Sequence, residues 1–272
     1  RDIPLVAERP MPELIEELHH RWRLAVKRRL AGARRPGQTL SGGLDSRAIL
    51  AEAAPQTDTW TAITYGIAGC DDAKYARQAA EVVGATWLFQ ELYADDWLEQ
   101  RTRYIRNTDG LIDLTDSMHL ETLPLQAERI DVHLSGYISD AVSGPTFNEL
   151  PYYGTELGLD YSEALATAEK MDEQLNGASA RFALFDHKLP QATNRWCAAW
   201  RPWFRVRRPF TDYAFFDFCQ GLPADVRGEQ NLHERWLRAK YPATFATIPN
   251  QKTGVPILTP NWLLQMERGR RL

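Results

Sequence analysis

One heptapeptide constrains this chain more than anything else in it: Ser41-Gly42-Gly43-Leu44-Asp45-Ser46-Arg47. It follows the short segment Gly37-Gln38-Thr39-Leu40, read as a first strand, and runs into Ala48 to Ala54, which reads as a helix. Two glycines allow a tight turn and let a bulky ligand approach the backbone with no side chain between. The amides of the turn and of the first helical residues then converge on an anion site suited to phosphate. Asp45 fits that picture badly alone, because a carboxylate beside phosphates repels them unless a cation lies between. The pattern therefore calls for a polyphosphate with Mg²⁺, Asp45 being a ligand of the metal or its positioner. The plainer alternative is a Ser-capped helix after a glycine turn, with Asp45 favouring the helix dipole. Strand, loop and helix in this order favour a nucleotide. No Gly-x-x-x-x-Gly-Lys-Ser/Thr loop occurs, and no Gly-x-Gly-x-x-Gly follows a predicted strand.

Composition removes several other classes. With 272 residues, 44% hydrophobic and 25% charged, the chain can bury a large core and is not a disordered segment. A net charge of −4 gives no support for bulk nucleic-acid binding. Cys70, Cys197 and Cys219 are scattered and odd in number, which argues against a disulfide framework or zinc site and suits a reducing cytoplasm. No apolar run is long enough for a membrane span, and the N-terminus lacks the apolar stretch of a signal peptide. Because the sequence opens at Arg1, it is read as a domain, a processed product or part of something longer.

Around the motif, strands and helices alternate. Pro12 to Leu30 has apolar positions at helical spacing, with Arg21, Arg23, Lys27, Arg28 and Arg29 on the other face. That basic face reads as a solvated surface or as an anion contact. Thr59 to Tyr65 is a second strand, Ala73 to Val83 a helix capped by Asp71 or Asp72 and ended by Gly84, and Ala85 to Leu92 a third strand. Helical patterns cover Asp95 to Arg106 and Ser117 to Arg129, and Ile130 to Ser135 is a fourth strand. This alternation implies right-handed βαβ units: an α/β fold with a parallel sheet covered by helices on both faces. Beyond residue 150 the chain reads as mostly helical, from Ser162 to Leu175 onward. Trp196, Trp200, Trp203 and Phe204 are read there as core rather than as a stacking platform.

The fourth strand runs into Ser135-Gly136-Tyr137-Ile138-Ser139-Asp140. In open parallel sheets ligands collect beyond the carboxyl ends of strands, where strand order reverses. Asp45 and Asp140 can then face one crevice and share a Mg²⁺ with phosphate oxygens, unless Asp140 only caps the next helix.

These segments together resemble the PP-loop ATP pyrophosphatases, and among them the synthetase domain of the asparagine synthetase superfamily, whose relatives include β-lactam synthetases and lasso-peptide cyclases. The resemblance rests on Leu40 to Ser46, on Thr64-Tyr65-Gly66 with Asp72 and Ala76, and on Ser135 to Asp140. Arg207 to Asp212 with Leu222-Pro223, and then Lys252-Thr253-Gly254, complete it. It implies one synthetase-type domain over 1–272, with an ATP-binding core over 1–150 and a helical, substrate-side part over 151–272. It also implies ATP and Mg²⁺, and amide-bond formation through an acyl-adenylate with release of pyrophosphate and AMP. Leu40, Ser41, Gly42, Gly43, Asp45, Ser46 and Gly136 would hold the nucleotide, and Asp45 and Asp140 the metal. Lys252 would bring positive charge to the α-phosphate, and Tyr137 would help to deprotonate the amine; the plainer readings are a loop lysine and strand-end packing. The partners implied are a small-molecule or peptide carboxylate, an amine, and a separate partner protein or domain.

One departure stands out. A glutamate common in this superfamily four residues before the Pro-Phe pair is Arg205 here, so a Tyr–Glu dyad does not carry over; Glu149 or Glu156 are candidates for its replacement. No N-terminal catalytic cysteine is visible for glutamine hydrolysis, the first cysteine being Cys70, which tilts the expectation toward lactam or macrolactam closure. Two other readings remain, a PP-loop enzyme that adenylates tRNA and a non-catalytic ATP-binding subunit. The acidic balance and the absence of paired cysteines disfavour the first, and the presence of Ser41, Asp45 and Asp140 disfavours the second.

Overall fold

The computed structural model describes residues 3–92, 118–137, 139–143, 199–228 and 230–260, with isolated positions at 101, 102, 105, 106, 166 and 170. The expected strand order of events is realised as β1 (Pro36–Thr39), α2 (Leu44–Ala53), β2 (Thr61–Gly66), α3 (Asp71–Val83) and β3 (Thr86–Glu91), preceded by α1 (Met11–Leu30). After a 3₁₀ turn at Met118–Thr122 come α4 (Leu123–Arg129), β4 (Val132–Leu134) and the short α5 (Ser139–Ser143). β5 (Arg205–Arg207), α6 (Tyr213–Gly221), α7 (Ala224–Arg227), α8 (Leu232–Lys240) and α9 (Pro242–Phe245) complete the described chain.

All five strands are parallel, in the order β3-β2-β1-β4-β5. The order runs outward from β1 in one direction through β2 and β3, and in the other through β4 and β5. The loops leaving β1 and β4 therefore diverge over opposite faces and open a crevice at their carboxyl ends. The α/β class is as expected. The described part past residue 150 is mostly helical, as expected, and adds one short strand, β5, which pairs Arg205 with Val132 and Arg207 with Leu134 and extends the sheet. One feature differs from the expectation: α2 starts at Leu44, so Asp45, Ser46 and Arg47 belong to the helix and not to the turn before it.

The main core joins Leu40, Ala62, Val132 and Leu134 of the sheet region to buried side chains of α1, α2, α3, α6 and α8. Trp22, fully buried on α1, packs against Phe210, Phe215 and Trp236 with ring centroids 4.5, 5.2 and 5.7 Å away. The basic face of α1 is a solvated face, with Arg23, Lys27 and Arg28 exposed, although Arg23, Arg28 and Arg29 also pair with carboxylates of other elements. Arg28 grips Asp212 with two hydrogen bonds of 2.8 and 2.5 Å, Arg29 lies 3.5 Å from the same carboxylate, and Arg23 lies 3.5 Å from the buried Glu52. These pairs staple α1 to the start of α6 and to α2, and the two arginines hold Asp212 below the usual carboxylate range despite its burial. A second, smaller core holds Leu120, Leu123, Ala199, Trp200 and Phe204. Trp200 and Phe204 also pack on the His133 ring of β4, at 4.8 and 5.5 Å. Those two aromatics are core, as expected; Trp203 is exposed instead, and Trp196 lies outside the described residues.

Candidate functional site

The glycine loop is held from every side by its own neighbourhood. Leu40 anchors it to the sheet: its side chain is buried, its N–H donates to Ile63 O at 2.9 Å, and its carbonyl accepts from Thr64 Oγ1 at 2.8 Å. Trp87 Nε1 in turn donates to Thr64 Oγ1 at 2.9 Å, so three adjacent strands fix where the loop begins. Within the loop, Ser46 Oγ accepts from Ser41 N–H at 3.1 Å and lies 3.0 Å from Ser41 Oγ, which itself accepts from Gly43 N–H at 3.2 Å. The helix N-cap is Gly43, with no side-chain cap, so Ser41 does not play the capping role of the plainer reading. Its hydroxyl closes the turn instead. Gln38, buried on β1, donates from Nε2 to Ser46 O at 2.7 Å and sets the height of the first helical turn.

Gly42 shows why this position has no side chain. A Cβ there would lie 3.0 Å from Gln251 Cβ, 3.1 Å from Asp72 Oδ1 and 3.3 Å from Tyr75 Cβ. The Gly42 N–H donates to Asp72 Oδ1 at 2.7 Å, and its carbonyl accepts from Gln251 N–H at 3.3 Å. Asp72 is thus not the helix cap expected from the sequence. Cys70, half-buried, is the N-cap residue of α3 and makes no side-chain cap, while Asp72 in the first turn reaches across to the loop. The amides at the start of α2 continue the loop, and the helix dipole adds positive potential at that end. Tyr65 stands at the end of β2, where burial and then the nearby Asp72 carboxylate push its phenol up to about 12. It stays a hydroxyl donor at neutral pH.

The loop after β4 closes on the same helix start. A Cβ on Gly136 would lie 3.2 Å from Asp45 Cβ and 3.3 Å from both Asp45 C and Ser46 N. The two stretches that the sequence analysis singled out, 41–47 and 135–137, are therefore in van der Waals contact. Tyr137 follows, half-buried, its N–H donating to Ser135 Oγ at 3.2 Å. Asp140 is the second residue of α5, four residues beyond Gly136; its side chain lies outside the described residues, as do Ile138, Glu149 and Glu156. Among the described residues no group of three or more His, Cys, Asp or Glu side chains converges. The expected pair of carboxylates is smaller than such a group, and Asp45, a hard oxygen donor beside a helix N-terminus, fits a cation that takes other ligands from phosphate.

Lys252 follows the residue that contacts the glycine loop. Gln251 bonds to Gly42, and the turn is braced by Asn250, whose carbonyl accepts from Gly254 N–H at 2.7 Å and whose Oδ1 accepts from Lys252 N–H at 3.0 Å. The Lys252 side chain itself is exposed. Arg205 is also exposed, level with Val132 at the start of β5 and away from the carboxyl ends of the strands.

Gln38, Arg47 and Asp72 support the loop, roles that the sequence did not assign to them. Arg47 and Asp72 stood in the motifs quoted above, and Arg47 carried a further signal as a cation inside an otherwise apolar helical run. No curated protein matches the chain. The model of the family described as "Asparagine synthase" matches residues 17–202, more than half of the 272 residues, from α1 through the glycine loop and the Gly136 loop. On that match the chain belongs to the asparagine synthase family of ATP-dependent, amide-forming synthetases.

Proposed function

We propose that this chain activates a carboxylate as its acyl-adenylate and passes the acyl group to an amine. The observation that carries the reading is the meeting of three segments at the start of α2: the glycine loop, the Gly136 loop and the 250–252 turn. A carboxylate oxygen of the substrate attacks the α-phosphorus of ATP, and the bond from that phosphorus to the bridging oxygen breaks, releasing pyrophosphate. The amine nitrogen then attacks the acyl carbon, the bond to AMP breaks, and the amine proton goes to a base.

In this reading the loop hydroxyls of Ser41 and Ser46 and the first amides of α2 hold the pyrophosphate portion. Gly136 lets the loop after β4 pack directly on Asp45 and Ser46, so that its bare backbone forms a wall for the nucleoside. Asp45 and Asp140 are the residues that would hold Mg²⁺, which when bound screens the phosphate charge. Lys252 supplies a mobile cation for charge developing at the α-phosphate. Tyr137, on the loop facing Asp45, takes the amine proton or relays it. Neither step uses Arg205.

The test is exchange of labelled pyrophosphate into ATP in the presence of a panel of carboxylates. The panel comprises free aspartate, free glutamate, and peptides with an acidic side chain and a free N-terminal amine. Carboxylate-dependent exchange with AMP formation is expected, and a peptide product lighter by one water would identify lactam closure. ATP binding without exchange or AMP for any member of the panel would sink the proposal. Asp45→Asn is expected to abolish Mg²⁺-dependent exchange, and wild-type exchange in that variant would remove Asp45 from the metal site.

A further inference from the structure

Arg47 lies two residues beyond Asp45, and its side chain is 0% exposed. Nε donates to Gly43 O at 3.1 Å, and Nη1 donates to Thr244 O at 3.3 Å and to Ile248 O at 3.2 Å. The guanidinium lies over the Phe245 ring, 5.1 Å from its centroid. Among the described residues no carboxylate pairs with it, and Nη2 is buried with no hydrogen-bond partner. A buried cation without a counter-charge costs several kcal/mol, so space-filling alone is a poor account of it. A methionine would fill a similar volume at lower cost. What an arginine fork adds is geometry, because it fixes several acceptors relative to one another.

Those acceptors belong to two separate stretches. Gly43 is in the glycine loop, whereas Thr244 and Ile248 sit on the segment leading into the 250–255 turn. The other described hydrogen bond between these stretches, Gln251 N–H to Gly42 O at 3.3 Å, is a single contact of the same length, whereas Arg47 ties two acceptors of the 244–248 segment and one of the loop to one rigid group. We propose that Arg47 is a positioning residue that locks the Lys252-bearing turn to the glycine loop. The turn then presents Lys252 at a fixed distance from whatever phosphate the loop holds. This inference rests on the reading of Lys252 as the cation at the α-phosphate.

The experiment compares Arg47→Met, Arg47→Lys, Lys252→Ala and the Arg47→Met/Lys252→Ala double variant of the full chain, each checked for folding by thermal unfolding. Hydrogen exchange of peptides covering 247–255 is expected to accelerate about 10-fold or more in Arg47→Met, because local opening is easier without the fork. Mg²⁺–ATP affinity should stay within about 3-fold. The turnover of pyrophosphate exchange, run with the carboxylate that scores highest in the panel above, should fall about 100-fold with little change in KM for ATP. In the double variant the two effects should fail to multiply, as expected for groups that act as one unit. Arg47→Lys should fall between, since a single ammonium cannot span the same acceptors. If Arg47→Met does not fold, Arg47→Lys carries the same comparisons.

Unchanged hydrogen exchange over 247–255 in a folded Arg47 variant would overturn the lock. So would fully multiplicative losses in the double variant. Wild-type turnover in Lys252→Ala would refute the role of Lys252 instead, and the hydrogen-exchange comparison would still decide whether Arg47 holds the turn.

Discussion

Adding a single methyl group at Gly136 tests whether the loop after β4 forms a wall of the nucleotide site. An alanine Cβ there would lie 3.2–3.3 Å from Asp45 Cβ, Asp45 C and Ser46 N. Ordinary contacts begin near 3.4 Å, so the loop and the start of α2 must separate by a few tenths of an ångström. Two of the three atoms are backbone in the first turn of a helix and cannot rotate aside. Overpacking of this kind costs about 1–2 kcal/mol, and if ATP requires the undistorted spacing, that cost appears in binding as about 5- to 30-fold weaker affinity. The assay is calorimetric titration with Mg²⁺ and a non-hydrolysable ATP analogue. Gly32→Ala is the control. Its φ of +69° strains an alanine at a position with no atom within 4 Å of the new Cβ. That strain costs about 1–2 kcal/mol of stability, far from the loop. Equal losses of stability with weakened ATP binding only in Gly136→Ala would support the site. Wild-type affinity in Gly136→Ala would show that the contact with Asp45 is packing and nothing more.

Lys252→Ala should bind ATP within about 3-fold of wild type and lose about 100-fold or more in exchange turnover, because the lost cation acts on charge that develops in the transition state; a raised KM at unchanged turnover would mark it as a ground-state contact. Stability should fall on acidification through His233. Burial depresses this imidazole to about 4 from 6.5, and its Nδ1 has no hydrogen-bond partner among the described residues. Because the folded pKa is the lower one, the unfolded chain binds the extra proton between pH 6.5 and 4. The stability is complete above 6.5 and is lost as pH falls through that window. Urea unfolding at pH 4.5 should show about 2 kcal/mol less from this group than at pH 7, and His233→Phe should flatten that part of the slope; an unchanged slope would mean that the ring is not held neutral.

The elements that local pattern could reveal were those with periodicity or punctuation of their own. α1 carries Leu14, Leu18, Trp22, Ala25 and Val26 at helical spacing, all buried, and α3 stops at Gly84 with φ +72°. β2 and β3 are rich in β-branched and aromatic residues. β5 has no such mark: Arg205-Val206-Arg207 is three residues with two charges, and it is a strand because β4 offers an open edge. At the site, the glycine loop and the Gly136 loop were legible as separate motifs, and their contact followed from strand order. The partners of Asp72 and of the α1 arginines were not legible. A carboxylate at a helix start looks like a cap until the fold supplies Gly42, and a row of arginines on a wet helix face gives no sign that Asp212 and Glu52 lie within reach. Such pairings span large sequence separations and leave no local signature.

The link between Arg47 and Ile248 joins residues 201 positions apart. During synthesis from the N-terminus at about 5–20 residues per second, the glycine loop therefore waits on the order of 10–40 s for the segment that braces it. β1 to β4 can pair early in that interval, β5 can cover β4 only once residue 207 has been made, and the turn that carries Lys252 comes last. A nascent chain in this state has a phosphate loop without its brace, so on the reading above the competence for turnover arrives only once residues 244–252 have been made.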